Sequence, residues 1–319
     1  MTPLSKKRGN YFNPFFNFCQ VIPQSFWFVL LDFWRDFRYI LFIQGGVMYP
    51  GIPFPEINPV LFQWGWFAVR WYSLAYIFGI LGAWWLARKM SQKSNSTFTV
   101  LKIDDFLIWA TVGIILGGRL GYCLFYNLRY FLEFPSQILA VWQGGMSFHG
   151  GLLGVTIAVL LFAYKKQISP LTMGDILTCV APVGLFLGRL ANFANGELFG
   201  RVTHSVPWAM IFPAGGPEPR HPSQLYEAGV EGILTFIILN LVWWFIPAVR
   251  NRRGCTTGLF FILYGVGRFL LEYTREPDAH LGFIWHQFSM GQILCLPMIL
   301  LGLFFIIISK KNVVYHQEY

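Results

Sequence analysis

Seven long apolar stretches stand out in the pattern of hydrophobic and polar positions along the chain. A helix needs about 20 mostly apolar residues to cross a lipid bilayer. The stretches occupy residues 71–88, 106–126, 148–164, 176–195, 228–248, 257–274 and 291–309. The pattern predicts an all-α, polytopic integral membrane protein with about seven transmembrane helices. It also predicts a loop region at about residues 197–227 and an apolar segment at 134–142 that lies at the membrane surface.

The lysines and arginines between these stretches alternate in number, which indicates how the chain is oriented. Eleven follow the first, third, fifth and seventh stretches, and four follow the others. Loops on the cytoplasmic side carry the excess of positive charge. We therefore expect the first helix to start outside the cytoplasm, the loop region to lie outside, and the C-terminus to lie inside.

The first 47 residues do not fit this alternation. They carry five basic residues on the side predicted to be external, at Lys6, Lys7, Arg8, Arg35 and Arg38. We expect residues 1–47 to be an N-terminal extension without catalytic function, with Met48 as an alternative start; an additional span or an interfacial helix is the other interpretation. Residues 48–319 are expected to form the membrane-embedded domain.

The composition excludes the main soluble classes. Only 12% of the residues are charged and 55% are hydrophobic, whereas a globular protein carries about 25% charged residues. A soluble enzyme, a disordered chain and a coiled coil are therefore excluded. The net charge of +9 is explained by membrane topology, so no nucleic-acid partner is expected. Five scattered cysteines without a CxxC pair indicate neither a disulfide framework nor a metal site.

Three arginines lie inside the predicted spans, at Arg119, Arg189 and Arg268. An ionised side chain in a bilayer is costly, so such residues are usually paired or functional. Each arginine falls in the later part of an even-numbered span, which places it in the outer half of the membrane. Tyr72 and His149 open odd-numbered spans and should lie at the same depth. The sequence thus predicts five polar side chains at one level.

A guanidinium group suits a phosphate ligand, because it is a planar fork of donors that remains charged when desolvated. The alternative is that each arginine pairs with a protein carboxylate or reaches the lipid headgroups. The clear carboxylates within the predicted spans are Glu231 and Glu272. Both interpretations stay open on the residues alone.

Polar residues near two of these arginines follow helical spacing. Arg189, Asn192 and Gly196 would share one face if the fourth helix continued that far. In the sixth span, Tyr264, Arg268 and Glu272 are each four residues apart, and Arg268 is expected to pair with Glu272. The pair would be purely structural or would orient Arg268 for a ligand.

Two glycine pairs flank Ser147, Phe148 and His149 at the start of the third span. Glycine pairs allow a tight turn and a close approach of the backbone to a ligand. His149 is a candidate proton acceptor, and a purely structural histidine is the alternative. No other ligand lies at a spacing that would make His149 part of a metal site.

These motifs resemble those of the bacterial phosphatidylglycerol–prolipoprotein diacylglyceryl transferases. The matching segments occur in the order of that family, at residues 69–72, 117–122, 144–151, 188–201, 220–227 and 264–278. The resemblance spans about residues 48–309. It implies an inner-membrane enzyme with seven spans and no cofactor. Its partners would be phosphatidylglycerol, membrane lipids and prolipoprotein signal peptides with a lipobox cysteine.

The resemblance also implies roles for individual residues. Arg189 would bind the lipid phosphate, Arg268 would be the second essential arginine, and His149 would be the base. With Arg189, the expected substrate-binding residues are Tyr72, Arg119, Asn192, Asn195, Glu197, Gly200 and Glu272. The identity of the base stays open between His149 and a carboxylate. A transporter or flippase that binds lipid phosphate without covalent chemistry is the alternative function, and a structural membrane scaffold is a third.

Overall fold

The computed structural model describes residues 49–65, 67–94, 97–276, 283–284 and 288–311. The predicted extension, residues 1–47, lies outside the described residues, as do Met48 and positions 277–278 of the last matching segment. Within the described residues, each predicted apolar stretch lies within or overlaps a long helix. These helices are α1 (Trp71–Lys93), α2 (Val100–Phe125), α3 (Phe148–Lys166), α4 (Pro170–Ala194), α5 (Ser223–Phe245), α6 (Cys255–Leu271) and α7 (Met290–Ile308).

Four of these helices are long and apolar enough to cross a membrane: α3, α4, α5 and α7. Helix α6 is apolar but shorter. The fold is therefore mostly helical with several candidate membrane spans, as the hydrophobic pattern predicts.

Short strands and helices accompany the long helices, so the expectation of an all-α chain needs a small amendment. The strands are β1 (Ile52–Pro53), β2 (Val60–Trp64), β3 (Phe67–Arg70), β4 (Met210–Ile211), β5 (Arg252–Arg253), β6 (Phe283–Ile284), β7 (Phe288–Ser289) and β8 (Lys310–Lys311). They form two-stranded pairs, of which β1–β4 is parallel and β2–β3, β5–β8 and β6–β7 are antiparallel. The short helical segments are Leu128–Glu133, Pro135–Leu139, Val141–Gln143, Pro213–Gly215 and Pro247–Arg250.

Glycines bring α2 and α3 into backbone contact. A Cβ at Gly117 would lie 2.3 Å from the carbonyl oxygen of Gly150, and one at Gly154 would lie 2.0 Å from that of Gly113. Small residues permit such close approach of membrane helices. Of the two glycines after His149, Gly150 serves this close approach to α2.

Helix α5 changes its winding part-way along. Ser223–Glu227 is α-helical, Ala228–Leu234 is π-helical, and Thr235–Phe245 is α-helical again. In the π-helical turn, a Cβ at Gly232 would lie 2.7 Å from the Cβ of Phe186 in α4. The wider winding begins directly after Glu227 and contains Glu231, and such segments are frequent at functional sites.

The predicted loop region is shorter than expected, because residues 223–227 already belong to α5. The remaining segment, residues 195–222, is held by backbone hydrogen bonds. Strand β4 pairs with β1, and Met210 and Arg220 exchange backbone hydrogen bonds of 2.9 and 2.8 Å.

Polar contacts between neighbouring helices mark one end of the bundle. Arg88 Nη1 in α1 lies 2.6 Å from Asp104 Oδ2 in α2, and Lys166 Nζ in α3 lies 2.6 Å from Asp105 Oδ2. These contacts hold the first three helices together at their basic ends.

Asp175 of α4 marks the same end on the other half of the bundle. It is buried, and its carboxylate accepts hydrogen bonds from the backbone N–H groups of Gly254 and Thr257 at 2.7 and 2.9 Å. The first N–H groups of a helix have no partner within the helix. Asp175 therefore caps α6 from a neighbouring helix.

Candidate functional site

The five polar residues predicted to share one level all lie far from this end of the bundle. Along its own helix, each of the five is separated by 11–17 residues from the nearest residue of the ion pairs and the Asp175 contact described above. This separation corresponds to about 17–26 Å at a rise of 1.5 Å per residue. They are Tyr72 in α1, Arg119 in α2, His149 in α3, Arg189 in α4 and Arg268 in α6. The five residues thus lie toward the opposite end of the helices.

Arg189 and Arg268 are joined by two glutamates of α5. Glu227 Oε2 lies 3.0 Å from Arg189 Nε, and Glu227 Oε1 accepts a hydrogen bond of 2.8 Å from Arg268 Nη1. Glu231 Oε2 accepts a hydrogen bond of 3.1 Å from Arg189 Nη2, and its Oε1 lies 3.6 Å from Arg268 Nη1. Each glutamate bridges both arginines, so α4, α5 and α6 meet through charged side chains.

Residues at the end of α6 extend this network. Arg268 Nη2 lies 2.8 Å from Glu272 Oε2, which confirms the predicted pair. Arg275 Nη1 donates to Glu227 Oε1 at 3.0 Å, and Ser289 Oγ donates to Glu272 Oε1 at 3.0 Å. We call six of these residues the arginine–glutamate cluster: Arg189, Arg268, Arg275, Glu227, Glu231 and Glu272.

Burial divides the cluster into two layers. The side chains of Glu227 and Glu231 are 1% and 0% exposed, whereas those of Arg189 and Arg268 are 17% and 16% exposed. Neither Nη1 of Arg189 nor Nε of Arg268 forms a hydrogen bond with a residue that the structure describes. The carboxylates are therefore more deeply buried than the arginines, and one nitrogen of each arginine has no hydrogen bond to a described residue.

A second polar group follows the end of α4. The side-chain amides of Asn192 and Asn195 donate to Glu197 Oε1 at 2.9 and 3.3 Å, and Gln224 Nε2 donates to the carbonyl of Glu197 at 2.6 Å. The helix ends before Gly196, whose φ of +65° turns the chain back. Gly196 is therefore not on a helical face with Arg189 and Asn192, as it would be if the helix continued. The turn instead brings the side chain of Glu197 into contact with Asn192 and Asn195.

Gly200 packs against the turn that follows α6. Its N–H donates to the carbonyl of His221 at 2.8 Å, and a Cβ at Gly200 would lie 2.3 Å from the carbonyl oxygen of Thr274. Beside it, Arg201 Nε donates to the carbonyl of Arg275 at 2.7 Å. Gly200 thus permits the contact that fixes Arg275 of the cluster.

His221 lies beside this contact but adds no charge to it at neutral pH. Burial and the neighbouring Arg201 lower the pKa of His221 from its usual value to about 4. Its Nδ1 lies 3.2 Å from the hydroxyl of Tyr226, which accepts a hydrogen bond from Trp208 Nε1.

Tyr72 and His149 lie toward the same end of the helices as the cluster, and neither forms an ion pair or hydrogen bond with it among the described residues. The rings of Tyr72 and Tyr76 are tilted by 45° to each other, with centroids 5.4 Å apart. His149 is exposed in the first turn of α3, beside the ring of Phe148. Ser147 caps that turn by accepting a hydrogen bond from Gly150 N–H at 3.2 Å. The structure therefore leaves the catalytic role of His149 a prediction.

Arg119 has a different environment from the other two arginines. It is buried, and its side chain donates to the carbonyls of Gln137, Ile138, Ala140, Gly144 and Gly145. A guanidinium group has five N–H donors, and these carbonyls occupy them all. In this arrangement no donor of Arg119 remains for a ligand, and its role in substrate binding stays a prediction. Arg119 folds the segment that leads to His149.

The comparisons with known proteins identify the family of the chain. The family model of prolipoprotein diacylglyceryl transferase matches residues 59–308. The chain belongs to the prolipoprotein diacylglyceryl transferase family. The matched residues include all seven long helices and the whole arginine–glutamate cluster.

Curated relatives of this family resemble most of the chain. Three proteins named phosphatidylglycerol–prolipoprotein diacylglyceryl transferase illustrate this. That of Rhodospirillum rubrum is 53% identical over 82% of this chain and 95% of the relative. The Paramagnetospirillum magneticum protein is 50% identical over 79% and 93%, and the Aliivibrio salmonicida protein is 53% identical over 83% and 92%.

The sequence pattern did not predict that Glu227 pairs with Arg189 and Arg268. Glu231 and Glu272 were the clear carboxylates within the predicted spans, and Glu227 lies one residue before the predicted fifth span. The i,i+4 spacing of Glu227 and Glu231 was a usable signal, because it places both carboxylates on one helical face. Both arginines do pair with carboxylates, so the structural interpretation of Arg189 and Arg268 describes part of their role.

Among the residues that the structure describes, no group of three or more His, Cys, Asp and Glu side chains would hold a metal ion.

Proposed function

We propose that this chain transfers the diacylglyceryl group of phosphatidylglycerol to the cysteine thiol of a prolipoprotein, the first step of lipoprotein maturation. Membership of the family and the printed names of its relatives support this activity. The observation that carries the proposal is the pairing of Arg189 and Arg268 with two buried glutamates, while one nitrogen of each arginine has no hydrogen bond to a described residue.

The proposed enzyme has seven membrane spans within the domain of residues 48–319 and lies in the bacterial inner membrane. The uneven distribution of lysine and arginine supports an external start of α1 and a cytoplasmic C-terminus. In this orientation, the arginine–glutamate cluster faces the outer leaflet. A prolipoprotein signal peptide with a lipobox cysteine would reach the same level from the membrane.

Arg189 and Arg268 bind the phosphate of the lipid in this proposal. Glu227 and Glu231 hold the two guanidinium planes from behind, so little reorganisation is needed when the ligand arrives. Preorganised donors aimed at developing charge commonly provide the largest contribution to catalysis. Asn192, Asn195 and Glu197, which follow Arg189 along the chain at the end of α4, complete the proposed binding surface together with Tyr72. In this proposal Glu272 orients Arg268, and Gly200 permits the contact between the loop and Arg275.

The reaction is a displacement at the glyceryl carbon. The thiolate sulfur forms a bond to that carbon, and the carbon–oxygen bond to phosphate breaks with its electron pair remaining on oxygen. The products are a thioether and glycerol phosphate, and the thiol proton passes to a base. A cysteine thiol has a pKa of about 8.5, so a proton acceptor accelerates the attack at neutral pH. His149 is the proposed acceptor, and a carboxylate is the alternative.

Incubation of the purified chain with phosphatidylglycerol vesicles and a lipobox peptide tests the proposed function. We expect the cysteine peptide to gain the mass of one diacylglyceryl group, and a matched peptide with serine in place of cysteine to gain none. A lipid transporter or flippase would move phosphatidylglycerol between leaflets and leave the mass of both peptides unchanged.

A further inference from the structure

The ion-paired groups of the cluster balance in charge. Three guanidinium groups face three carboxylates, and each of the six takes part in at least one ion pair within the cluster. Arg201 borders the cluster through hydrogen bonds to the carbonyls of Glu272 and Arg275. An arginine site built only to hold phosphate as tightly as it can would not place three carboxylates against its donors.

Under the proposed function, substrate and product differ in charge. The phosphodiester of phosphatidylglycerol carries one negative charge. Once the carbon–oxygen bond has broken, glycerol phosphate is a phosphomonoester with a charge of about −1.5 to −2 near neutral pH. The same site must therefore hold a weaker anion before the reaction and release a stronger anion after it.

We propose that Glu231 is a specificity-determining residue that makes the cluster bind the monoanionic phosphodiester and release the more highly charged phosphomonoester. This inference rests on the proposed function. The negative charge of Glu231 lowers the positive potential at the arginines and penalises a dianion more than a monoanion. Glu231 thereby limits product inhibition.

Glu231 is the carboxylate best placed for this role. Its side chain is 0% exposed and contacts Arg189 and Arg268, the two arginines assigned to the phosphate. Glu227 also holds Arg275, so its loss would release a third side chain. Because Glu231 lies in the π-helical turn of α5 behind both arginines, a neutral glutamine there keeps the shape of the site and removes one charge.

Steady-state kinetics of Glu231→Gln tests the inference. The KM for phosphatidylglycerol and the inhibition constant Ki of added glycerol phosphate are measured with the lipobox peptide as acceptor. We expect the Ki of glycerol phosphate to fall by about tenfold or more, since a charge at this range acts through the low effective dielectric of a protein. The KM falls less, so the ratio of Ki to KM decreases, and slower product release lowers kcat.

Two further variants control this measurement. Glu231→Asp retains the charge and should retain the Ki-to-KM ratio of the unmodified protein. Glu276→Gln changes the net charge equally, but Glu276 pairs with Arg220 outside the cluster and its side chain is 50% exposed. It should leave the ratio unchanged. If Glu231→Gln does not accumulate in membranes, Glu272→Gln takes its place, because it also removes one negative charge from the cluster. It should likewise lower the ratio of Ki to KM.

The outcomes separate the inference from the proposed function. An unchanged or increased Ki-to-KM ratio in an active, folded Glu231→Gln variant overturns the role of Glu231 and leaves the transferase activity intact. Where Glu272→Gln is used in place of Glu231→Gln, an unchanged or increased Ki-to-KM ratio also overturns the inference. Failure of the unmodified protein to lipidate the peptide overturns the proposed function and this inference with it.

Discussion

At the scale of single residues, Arg189 and Arg268 share the same two carboxylates. Each guanidinium plane is set by Glu227 and Glu231 together. The pairing explains how charged groups are retained inside a membrane protein, because a buried charge is tolerated only when it is paired and hydrogen-bonded. It also means that changing one arginine disturbs the orientation of the other.

Replacement of Arg189 tests the phosphate contact. We expect Arg189→Ala to abolish transfer and Arg189→Lys to restore only a small part of the rate, with a loss of about 100-fold or more. Lysine supplies a charge but lacks the planar fork that binds phosphate through two donors. The control is Arg129→Lys, because the side chain of Arg129 is 97% exposed. Substantial rescue by lysine would indicate that Arg189 serves only to pair with carboxylates.

Replacement of His149 tests the identity of the base. His149→Asn keeps a hydrogen-bonding side chain and removes the proton acceptor, so the rate at neutral pH should fall by about 100-fold, within the usual range for general base catalysis. Raising the pH should partly restore the rate, because more of the peptide thiol is then already ionised. Arg189→Ala should show no such rescue. Similar rates and pH profiles for the unmodified protein and His149→Asn would eliminate His149 and favour Glu197 or Glu272.

At the scale of helices, the sequence pattern predicted contacts within a single helix but not the contacts between side chains of different helices. The Arg268–Glu272 pair follows from i,i+4 spacing alone, and the apolar stretches locate the helices. The bridges from Glu227 to Arg189 and Arg275 depend on how α4, α5 and α6 pack, and the π-helical turn that presents Glu231 has no simple periodicity. The carbonyls that surround Arg119 belong to a folded loop, and a hydrophobicity pattern carries no information about them.

The cap that α4 provides to α6 predicts an effect on stability. Asp175→Ala leaves the N–H groups of Gly254 and Thr257 without their acceptor, and loss of a helix cap costs about 0.5–2 kcal/mol. We expect the unfolding midpoint in detergent to fall by about 2–6 °C. Asp105→Ala is the control, because that carboxylate is half exposed in its pair with Lys166, and exposed pairs contribute little. Equal midpoints for the two variants would contradict the capping role.

At the scale of the whole molecule, the charges of the loops give a direct test of orientation. A reporter that is active only in the cytoplasm should be active when fused after Lys311, and a reporter that is active only outside should be inactive there. The reason is the excess of lysine and arginine on the loops that follow α1, α3 and α5 and after α7. A reporter fused within residues 205–216 should behave in the opposite way. An external signal after Lys311 would reverse the predicted depth of the cluster.

The measurement that tests the proposed activity most directly is the stoichiometry of the two products. Proteoliposomes that contain the purified chain and phosphatidylglycerol labelled in its headgroup are given a lipobox peptide, and released glycerol phosphate and lipidated peptide are counted together. We predict one glycerol phosphate for each thioether formed and none of either in Arg189→Ala. Binding or movement of the lipid without glycerol phosphate release, or release without a thioether, would contradict diacylglyceryl transfer by this chain.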